Sequence, residues 1–179
     1  MLEAAGVAHE VEPAAIDEDG LKKDGSAPVV LARQLAEAKA VEVSKANPDA
    51  WVIGSDSIAS VGGRMFDKPR DRNEAAMHLR AFSGQVLTLT SAVVLARDGS
   101  VEWSHCEEAR LNVRPLSEEY IASYFDAEWP EVGHCVGVFR MEGRGIQLFD
   151  RVDGDHFTIL GMPLIPLLGA LRERGIMMS

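Results

Sequence analysis

The sequence contains only two cysteines, Cys106 and Cys135, and each is directly preceded by a histidine. Both His-Cys pairs lie in segments that we predict to be strands, where neighbouring side chains point to opposite faces of a sheet. Neither pair can easily turn both of its members toward one zinc ion. We therefore expect two free thiols in a reducing cytoplasm rather than a metal site.

Positive charge is also scarce, with 18 Lys and Arg against 28 Asp and Glu and a formal net charge of -10. Extended nucleic acids require clustered Lys and Arg, so this composition argues against them as partners. A small phosphorylated substrate remains compatible with an acidic protein. A divalent cation can lie between its carboxylates and the phosphate oxygens.

Long hydrophobic runs are missing. The apolar run from Thr158 to Leu171 is about 14 residues long, below the roughly 20 that span a bilayer, and it contains glycines and prolines. The N-terminus has no charged segment followed by an apolar core, so we identify no signal peptide. We expect a cytoplasmic protein with no membrane partner.

Repeats and low-complexity blocks are absent as well. A chain of 179 residues can bury one substantial core but is short for two independent domains. Its 46% hydrophobic and 26% charged residues are ordinary values for a globular protein. We predict a single domain over residues 1–179.

Apolar periodicity predicts a long helix from Pro28 to Lys45. Asp71 and Ser117 are predicted to cap two further helices, and Pro163 to start the last one. The predicted strands are residues 9–13, 51–53, 58–61, 64–66, 85–97, 100–114, 135–139 and 145–152. Gly-Gly at 62–63 and Asp-Gly at 98–99 predict hairpins. Helices interleaved with hairpins indicate an α/β fold with a mixed sheet flanked by helices.

Asp56 is the first candidate for chemistry. The apolar strand Trp51–Ile53 runs directly into Gly54-Ser55-Asp56-Ser57. A carboxylate at the carboxyl end of a strand is well placed to bind Mg²⁺ or to accept a proton. Taken by itself, the segment favours a plain turn, in which Gly, Ser and Asp are common.

Other candidates are weak when each is taken alone. Lys39 and Lys68 are suited to phosphate, but most lysines are solvated surface charges. Glu18 lies in an acidic stretch that is compatible with an exposed loop. The Gly-rich segment around Gln147 matches neither a P-loop nor a dinucleotide-binding fingerprint.

In order and spacing, however, seven segments resemble the Maf family of nucleoside triphosphate pyrophosphatases over essentially the whole chain. They are Ile16-Asp17-Glu18, Leu35–Ala40, Val52–Ser57, Asp67–Asp71, Phe82-Ser83-Gly84, Gly145-Ile146-Gln147 and Leu160–Leu164. The resemblance implies an α/β fold with a central active-site cleft, shared in outline with the inosine triphosphate pyrophosphatases. It also implies hydrolysis of a nucleoside triphosphate to the monophosphate and pyrophosphate, and a homodimer is possible.

The same resemblance assigns roles to five residues. Asp56 and Glu18 would be the catalytic and metal-binding carboxylates for Mg²⁺ or Mn²⁺. Lys39 and Lys68 would contact phosphate oxygens, and Gln147 would lie near the substrate. Residues 141–151 are similar to the 7-methyl-GTP pyrophosphatase branch, although Gln147 is shared with the dTTP/UTP branch.

One family feature is missing from this sequence, the Ser-x-Ser-x-Arg-Arg loop near the N-terminus. Met1–Gly6 matches only the end of the helix that follows that loop. We expect a truncated or misassigned start lacking about 15 to 20 residues, judged from a strand and a short helix. The alternative is a catalytically weak nucleotide-binding regulatory protein linked to septum formation. A different phosphohydrolase using an aspartyl phosphate is less favoured, because no Asp-x-Asp pair surrounds Asp56.

Overall fold

The computed structural model describes residues 1–23 and 25–178. The chain divides into two compact units. The first unit consists of residues 1–57, 90–107 and 155–179, and the second of residues 58–89 and 108–154. The single domain that we predict over residues 1–179 stays a prediction.

Five strands form one sheet in the order β2-β1-β3-β4-β5. They are β1 Val52–Val61, β2 Arg64–Phe66, β3 Val86–Arg97, β4 Ser100–Val113 and β5 Phe149–Asp153. Both predicted hairpins are confirmed. Positive φ angles at Gly62, Gly63, Asp98 and Gly99 suit the type I′ turns that match strand twist.

The α/β class predicted from the sequence is confirmed. The sheet differs from the mixed one that we expected, because β1–β2 and β4–β5, the pairings whose register is described, are both antiparallel. A mixed sheet would need parallel pairs, and none is found among these described pairings.

Six α-helices are described: α1 Glu18–Lys22, α2 Pro28–Ala46, α3 Arg72–Phe82, α4 Glu118–Glu128, α5 His156–Ile159 and α6 Leu164–Glu173. The predicted caps are confirmed. The Asp71 carboxylate accepts from the backbone N–H of Glu74 at 2.8 Å, and the Ser117 hydroxyl from that of Tyr120 at 3.1 Å. Within residues 1–23 and 25–178, none of the helices combines the length and hydropathy needed to cross a membrane.

The predicted strands 51–53 and 58–61 are one continuous strand, so Asp56 lies in the middle of β1 and not beyond the end of a strand. Three other predicted strands are wrong in whole or in part. Residues 9–13 form no strand, and Val11 in their middle is 88% exposed, with no partner surface to pack on. Residues 135–139 form a turn, in which Val138 has φ 58° and its N–H donates to the Cys135 carbonyl at 3.0 Å. A 3₁₀-helix takes up Arg144–Leu148, so only 149–153 are extended in that region.

The core of the first unit lies between β3, β4 and the last helix. Its fully buried members are Val93, Leu95, Leu164, Leu167, Ala170 and Leu171, with Trp51 and Trp103 packed against them. Burial of this apolar face accounts for α6, whose sequence has Leu at helical spacing. The packing also holds the chain after residue 155 in the same unit as the first half of β1.

Candidate functional site

Gly54 is a point of close contact between α2 and β1. A β-carbon at this position would collide with the carbonyl oxygen of Ala36 and lie 2.8 Å from the Ala40 β-carbon. Only glycine admits this approach, because every other residue carries that atom. The sequence Ala-Glu-Ala-Lys-Ala on α2 supplies small side chains on the facing surface, so the helix backbone comes within reach of the strand.

This close approach brings Lys39 to Asp56. Residues 54 and 56 lie on the same face of β1, since side chains alternate along a strand. The Lys39 ammonium donates to Asp56 Oδ1 at 2.6 Å. It also lies 2.8 Å from Glu18 Oε1, so one cation bridges two carboxylates. Three of the five residues predicted from the sequence therefore form one cluster, the Glu18–Lys39–Asp56 cluster.

Glu18 reaches the cluster because the acidic stretch is not the surface loop that the sequence also allows. Asp17 caps α1 by accepting from the backbone N–H of Gly20 at 3.0 Å, and Glu18 is the first residue of this short helix. Lys22, one turn later, lies 3.6 Å from the second Glu18 oxygen. The Glu18 side chain is 40% exposed, whereas that of Asp56 is only 14% exposed.

Burial dominates the electrostatics of Asp56. Desolvation raises the pKa of this carboxyl above its usual value, and the neighbouring Glu18 charge adds to the rise. The hydrogen bond and charge of Lys39 act the other way but do not cancel the effect of burial. The pKa of Lys39 is itself raised, because its two carboxylate partners outweigh its own partial desolvation. Asp56 is thus a carboxylate whose pKa has moved toward neutrality.

The cluster fits a divalent metal ion through its donor chemistry. Carboxylate oxygens are the ligands that Mg²⁺ and Mn²⁺ prefer. Over residues 1–23 and 25–178, no group of three or more His, Cys, Asp and Glu side chains converges on one metal position. Glu18 and Asp56 would therefore hold a metal as a pair, with water or phosphate oxygens as further ligands, as is common for Mg²⁺.

Lys68 and Gln147 belong to the second unit. Lys68 is exposed directly after β2, and Pro69 beside it is buried. Gln147 is exposed in the 3₁₀-helix Arg144–Leu148, where its carbonyl accepts from Arg114 Nε at 2.7 Å. The substrate roles expected for Lys68 and Gln147 stay predictions.

The second unit also contains a segment whose conformation the sequence did not indicate. Val138 is fully buried with a positive φ, which is costly for a β-branched residue. The Tyr124 hydroxyl donates to its carbonyl at 3.1 Å. Burial raises the pKa of the nearby Cys135 thiol, while the charges of Arg140 and Lys68 oppose that rise. Two cations therefore act on this thiol.

The sequence also did not reveal four buried or half-buried hydroxyls around the strand that carries Asp56. Ser55 and Ser57 lie on the face of β1 opposite to Asp56 and contact the chain around Gly161. Ser91 and Thr158 continue the contact. The only sequence signal was the alternation of Ser with Asp in 55–57, which does not specify partners about 100 residues away.

Comparison with known proteins identifies the group to which this chain belongs. The family model described as Maf-like protein matches residues 1–174. The chain belongs to the Maf family. The resemblance inferred from the seven segments is thereby confirmed, and three of these segments, Ile16-Asp17-Glu18, Leu35–Ala40 and Val52–Ser57, meet in the Glu18–Lys39–Asp56 cluster.

Several Maf relatives are similar over nearly the whole chain. A 7-methyl-GTP pyrophosphatase of Rhizobium etli is 48% identical over 179 residues, covering 98% of this chain and 90% of the relative. One of the same name from Brucella suis is 43% identical, covering 97% and 89%. A nucleoside triphosphate pyrophosphatase of Sphingopyxis alaskensis is 46% identical, covering 98% and 91%.

Proposed function

We propose that this Maf chain hydrolyses a nucleoside triphosphate to the monophosphate and pyrophosphate, and that its preferred substrate is 7-methyl-GTP. The observation that carries the proposal is the Glu18–Lys39–Asp56 cluster, in which a half-buried ammonium joins two carboxylates within 2.8 Å. The names of the relatives from Rhizobium etli and Sphingopyxis alaskensis support the reaction class. The reaction adds the elements of water across the anhydride bond between the α- and β-phosphates.

Asp56 is the residue suited to take a proton from the attacking water. A general base works best when its pKa lies near the working pH, and burial has moved the pKa of Asp56 in that direction. Lys39 holds the carboxylate in place through Oδ1. The proton then rests on Asp56 until it returns to solvent, while pyrophosphate leaves with the electron pair of the broken P–O bond.

A divalent cation, Mg²⁺ or Mn²⁺, completes the proposal. When bound, it would neutralise phosphate charge and polarise a phosphoryl oxygen. Glu18 and Asp56 would hold it through their carboxylate oxygens. Once a cation binds Glu18 and Asp56, the Lys39 ammonium would be available to contact phosphate oxygens of the substrate.

Substrate roles for Lys68 and Gln147 follow from the Maf resemblance alone: Lys68 would contact phosphate, and Gln147 would lie near the substrate. The 7-methyl-GTP preference is supported by the similarity of residues 141–151 to that branch and by relatives of that name at 48% and 47% identity. The dTTP/UTP alternative shares Gln147, so both classes belong in the assay.

The test is pyrophosphate release from 7-methyl-GTP, GTP, dTTP, UTP and CTP, with and without Mg²⁺ or Mn²⁺. The Asp56→Asn variant is expected to lose about two orders of magnitude or more in kcat, since general base catalysis contributes that much. Asp98→Asn is the matched control. Asp98 is exposed in a hairpin turn with φ 48°, a conformation that asparagine also adopts.

Two outcomes would contradict the proposal. Equal activity of the wild type and Asp56→Asn would remove Asp56 from its role. Tight nucleotide binding by calorimetry without turnover of any of these nucleotides would favour the regulatory alternative instead. If dTTP or UTP is hydrolysed in preference to 7-methyl-GTP, the proposed reaction stands and the proposed substrate is wrong.

A further inference from the structure

The face of β1 that points away from Asp56 carries two serine hydroxyls that lie close to one carbonyl oxygen. Ser55 Oγ donates to the carbonyl of Gly161 at 2.6 Å, and Ser57 Oγ lies 3.2 Å from the same oxygen. Residues two apart in a strand are separated by about 6.7 Å along its axis. Two hydroxyls at this spacing meet one oxygen only if that oxygen lies across the strand from the residue between them, which is Asp56.

The number of hydroxyl hydrogens fixes the direction of the hydrogen bonds between Ser57, Ser91 and Thr158. Ser91 has one hydroxyl hydrogen, and it is donated to the Thr158 carbonyl at 2.8 Å. Ser91 Oγ therefore accepts the hydrogen of Ser57 across their 2.7 Å contact. The Gly161 carbonyl is then satisfied chiefly by Ser55. Each serine on this face has a defined partner, and Ser91 and Thr158 are fully buried.

The network is anchored at its outer end by Glu107 and His105. Thr158 Oγ1 donates to Glu107 Oε2 at 2.7 Å, and Glu107 Oε1 lies 3.0 Å from His105 Nε2. Both carboxylate oxygens of Glu107 are thus engaged. The segment 158–161 is consequently fixed from β3 through Ser91 and from β4 through Glu107.

We propose that Ser55 and Ser57 are positioning residues for Asp56, Ser55 acting through the Gly161 carbonyl and Ser57 through the buried Ser91 hydroxyl. The inference rests on the proposed function for its catalytic meaning. On one face of β1, α2 contacts the strand at Gly54 and presents Lys39 to Asp56. On the other face the two hydroxyls hold the strand at the residues flanking Asp56, so the carboxylate is fixed between them.

The geometry at Gly161 favours a specific contact over general packing. Gly161 has φ 102°, a conformation that other residues rarely adopt, and a β-carbon there would lie 3.3 Å from Ser57 Oγ. The turn after α5 is therefore shaped so that its carbonyl, and no side chain, faces the two serines. Hydroxyl groups that fix the position of a reactive group affect the reaction rate, because a displacement of about 1 Å can lower the rate about 100-fold.

The experiment compares Ser55→Ala, Ser57→Ala and the double variant with Ser60→Ala, a serine in the same strand that is 8% exposed. We expect kcat to fall about 10-fold or more in the double variant while KM changes by less than about 3-fold, since the groups do not touch substrate. Ser55→Thr and Ser57→Thr keep a hydroxyl in a strand and are expected to retain most of the activity. Melting temperatures separate loss of folding from loss of position.

A second readout does not depend on turnover. Hydrogen exchange of the backbone amides of residues 54–58 is expected to be faster in the double variant than in the wild type and in Ser60→Ala, because the strand has lost the hydroxyl contacts that hold it at Gly161 and Ser91. Unchanged exchange and a kcat loss no larger than that of Ser60→Ala would overturn the inference. Absence of activity in the wild type would instead refute the proposed function, and hydrogen exchange would still decide the positioning role.

Discussion

Lys39 on helix α2 and Asp56 on strand β1 form the shortest ion pair of the site, with 2.6 Å between the ammonium nitrogen and Oδ1. The two side chains are unequally buried, since that of Asp56 is 14% exposed and that of Lys39 is 26% exposed. Burial raises the pKa of the carboxyl in spite of the lysine beside it. The relationship therefore combines a held carboxylate with a raised proton affinity, which is the combination a general base requires.

Lys39→Met is expected to raise the pKa of Asp56 further. The substitution removes the hydrogen bond and the charge that lower this pKa, and it leaves burial and Glu18, which raise it. The acidic limb of the pH–rate profile should move to higher pH, and the ¹³C titration of Asp56 should move with it. Lys45→Met, at an exposed position near the end of the same helix, is the control. A titration that moves to lower pH would contradict the assignment.

Gly54→Ala is expected to separate α2 from β1. The new β-carbon would overlap the Ala36 carbonyl and the Ala40 side chain, and relief of such overpacking costs about 1–3 kcal/mol in the free energy of unfolding. Activity should fall more than stability explains, because Lys39 moves with the helix.

Gly169→Ala is expected to raise the free energy of unfolding, in contrast to Gly54→Ala. Gly169 lies within α6, and a β-carbon there meets no atom within 4 Å. Alanine in a helix interior should stabilise by about 0.5–1 kcal/mol. Urea unfolding of both variants measures the difference, and equal free energies of unfolding would show that α2 tolerates a side chain at position 54.

Glu107 is expected to make stability depend on pH in the acidic range. The hydrogen bond from Thr158 is the largest cause that lowers the pKa of this carboxyl below 4.5, and His105 adds to it. A lowered folded-state pKa contributes stability that is fully present above 4.5 and is lost as the pH falls through the folded value. Glu107→Gln retains an acceptor for Thr158 and should lose less stability between neutral pH and a pH below 4.5.

Glu107→Ala leaves the buried Thr158 hydroxyl without its acceptor. The expected cost is about 1–3 kcal/mol at neutral pH, the penalty of an unsatisfied buried donor. Thr158→Val in the Glu107→Ala background removes that donor and should recover part of the loss. Denaturant unfolding of the two singles and the double gives the coupling energy, and strictly additive losses would show that the pair does not interact.

Metal binding is expected to depend on both carboxylates of the cluster. Titration with Mn²⁺, followed by electron paramagnetic resonance of the free ion, should show weaker binding in Glu18→Gln and in Asp56→Asn than in the wild type. Asp98→Asn, which removes the same charge at a hairpin, corrects for the general loss of negative charge. Equal affinities in all four proteins would place the metal elsewhere, and chelation by EDTA should abolish turnover if the proposal holds.

Much of the local structure follows from the sequence by short-range rules. The two hairpins were predictable because Gly-Gly and Asp-Gly adopt positive φ angles, and the caps at Asp71 and Ser117 because each side chain bonds within its own first turn. The wrong strands at 9–13 and 135–139 share a cause. Apolar residues suggested extended chain, but nothing in the sequence indicates whether a neighbouring strand is present to pair with them.

In the candidate site, too, some features follow from the sequence and others from tertiary packing. The sequence by itself determined the residue types and their order, which identified the Maf family and named Glu18, Lys39 and Asp56 as candidates. Only the tertiary structure decided that one ammonium joins both carboxylates, across 17 residues between Lys39 and Asp56, and that Ser55 meets a carbonyl 106 residues away. Such contacts depend on how closely a helix packs on a strand and where a turn directs its carbonyl. These are properties of packing rather than of local sequence.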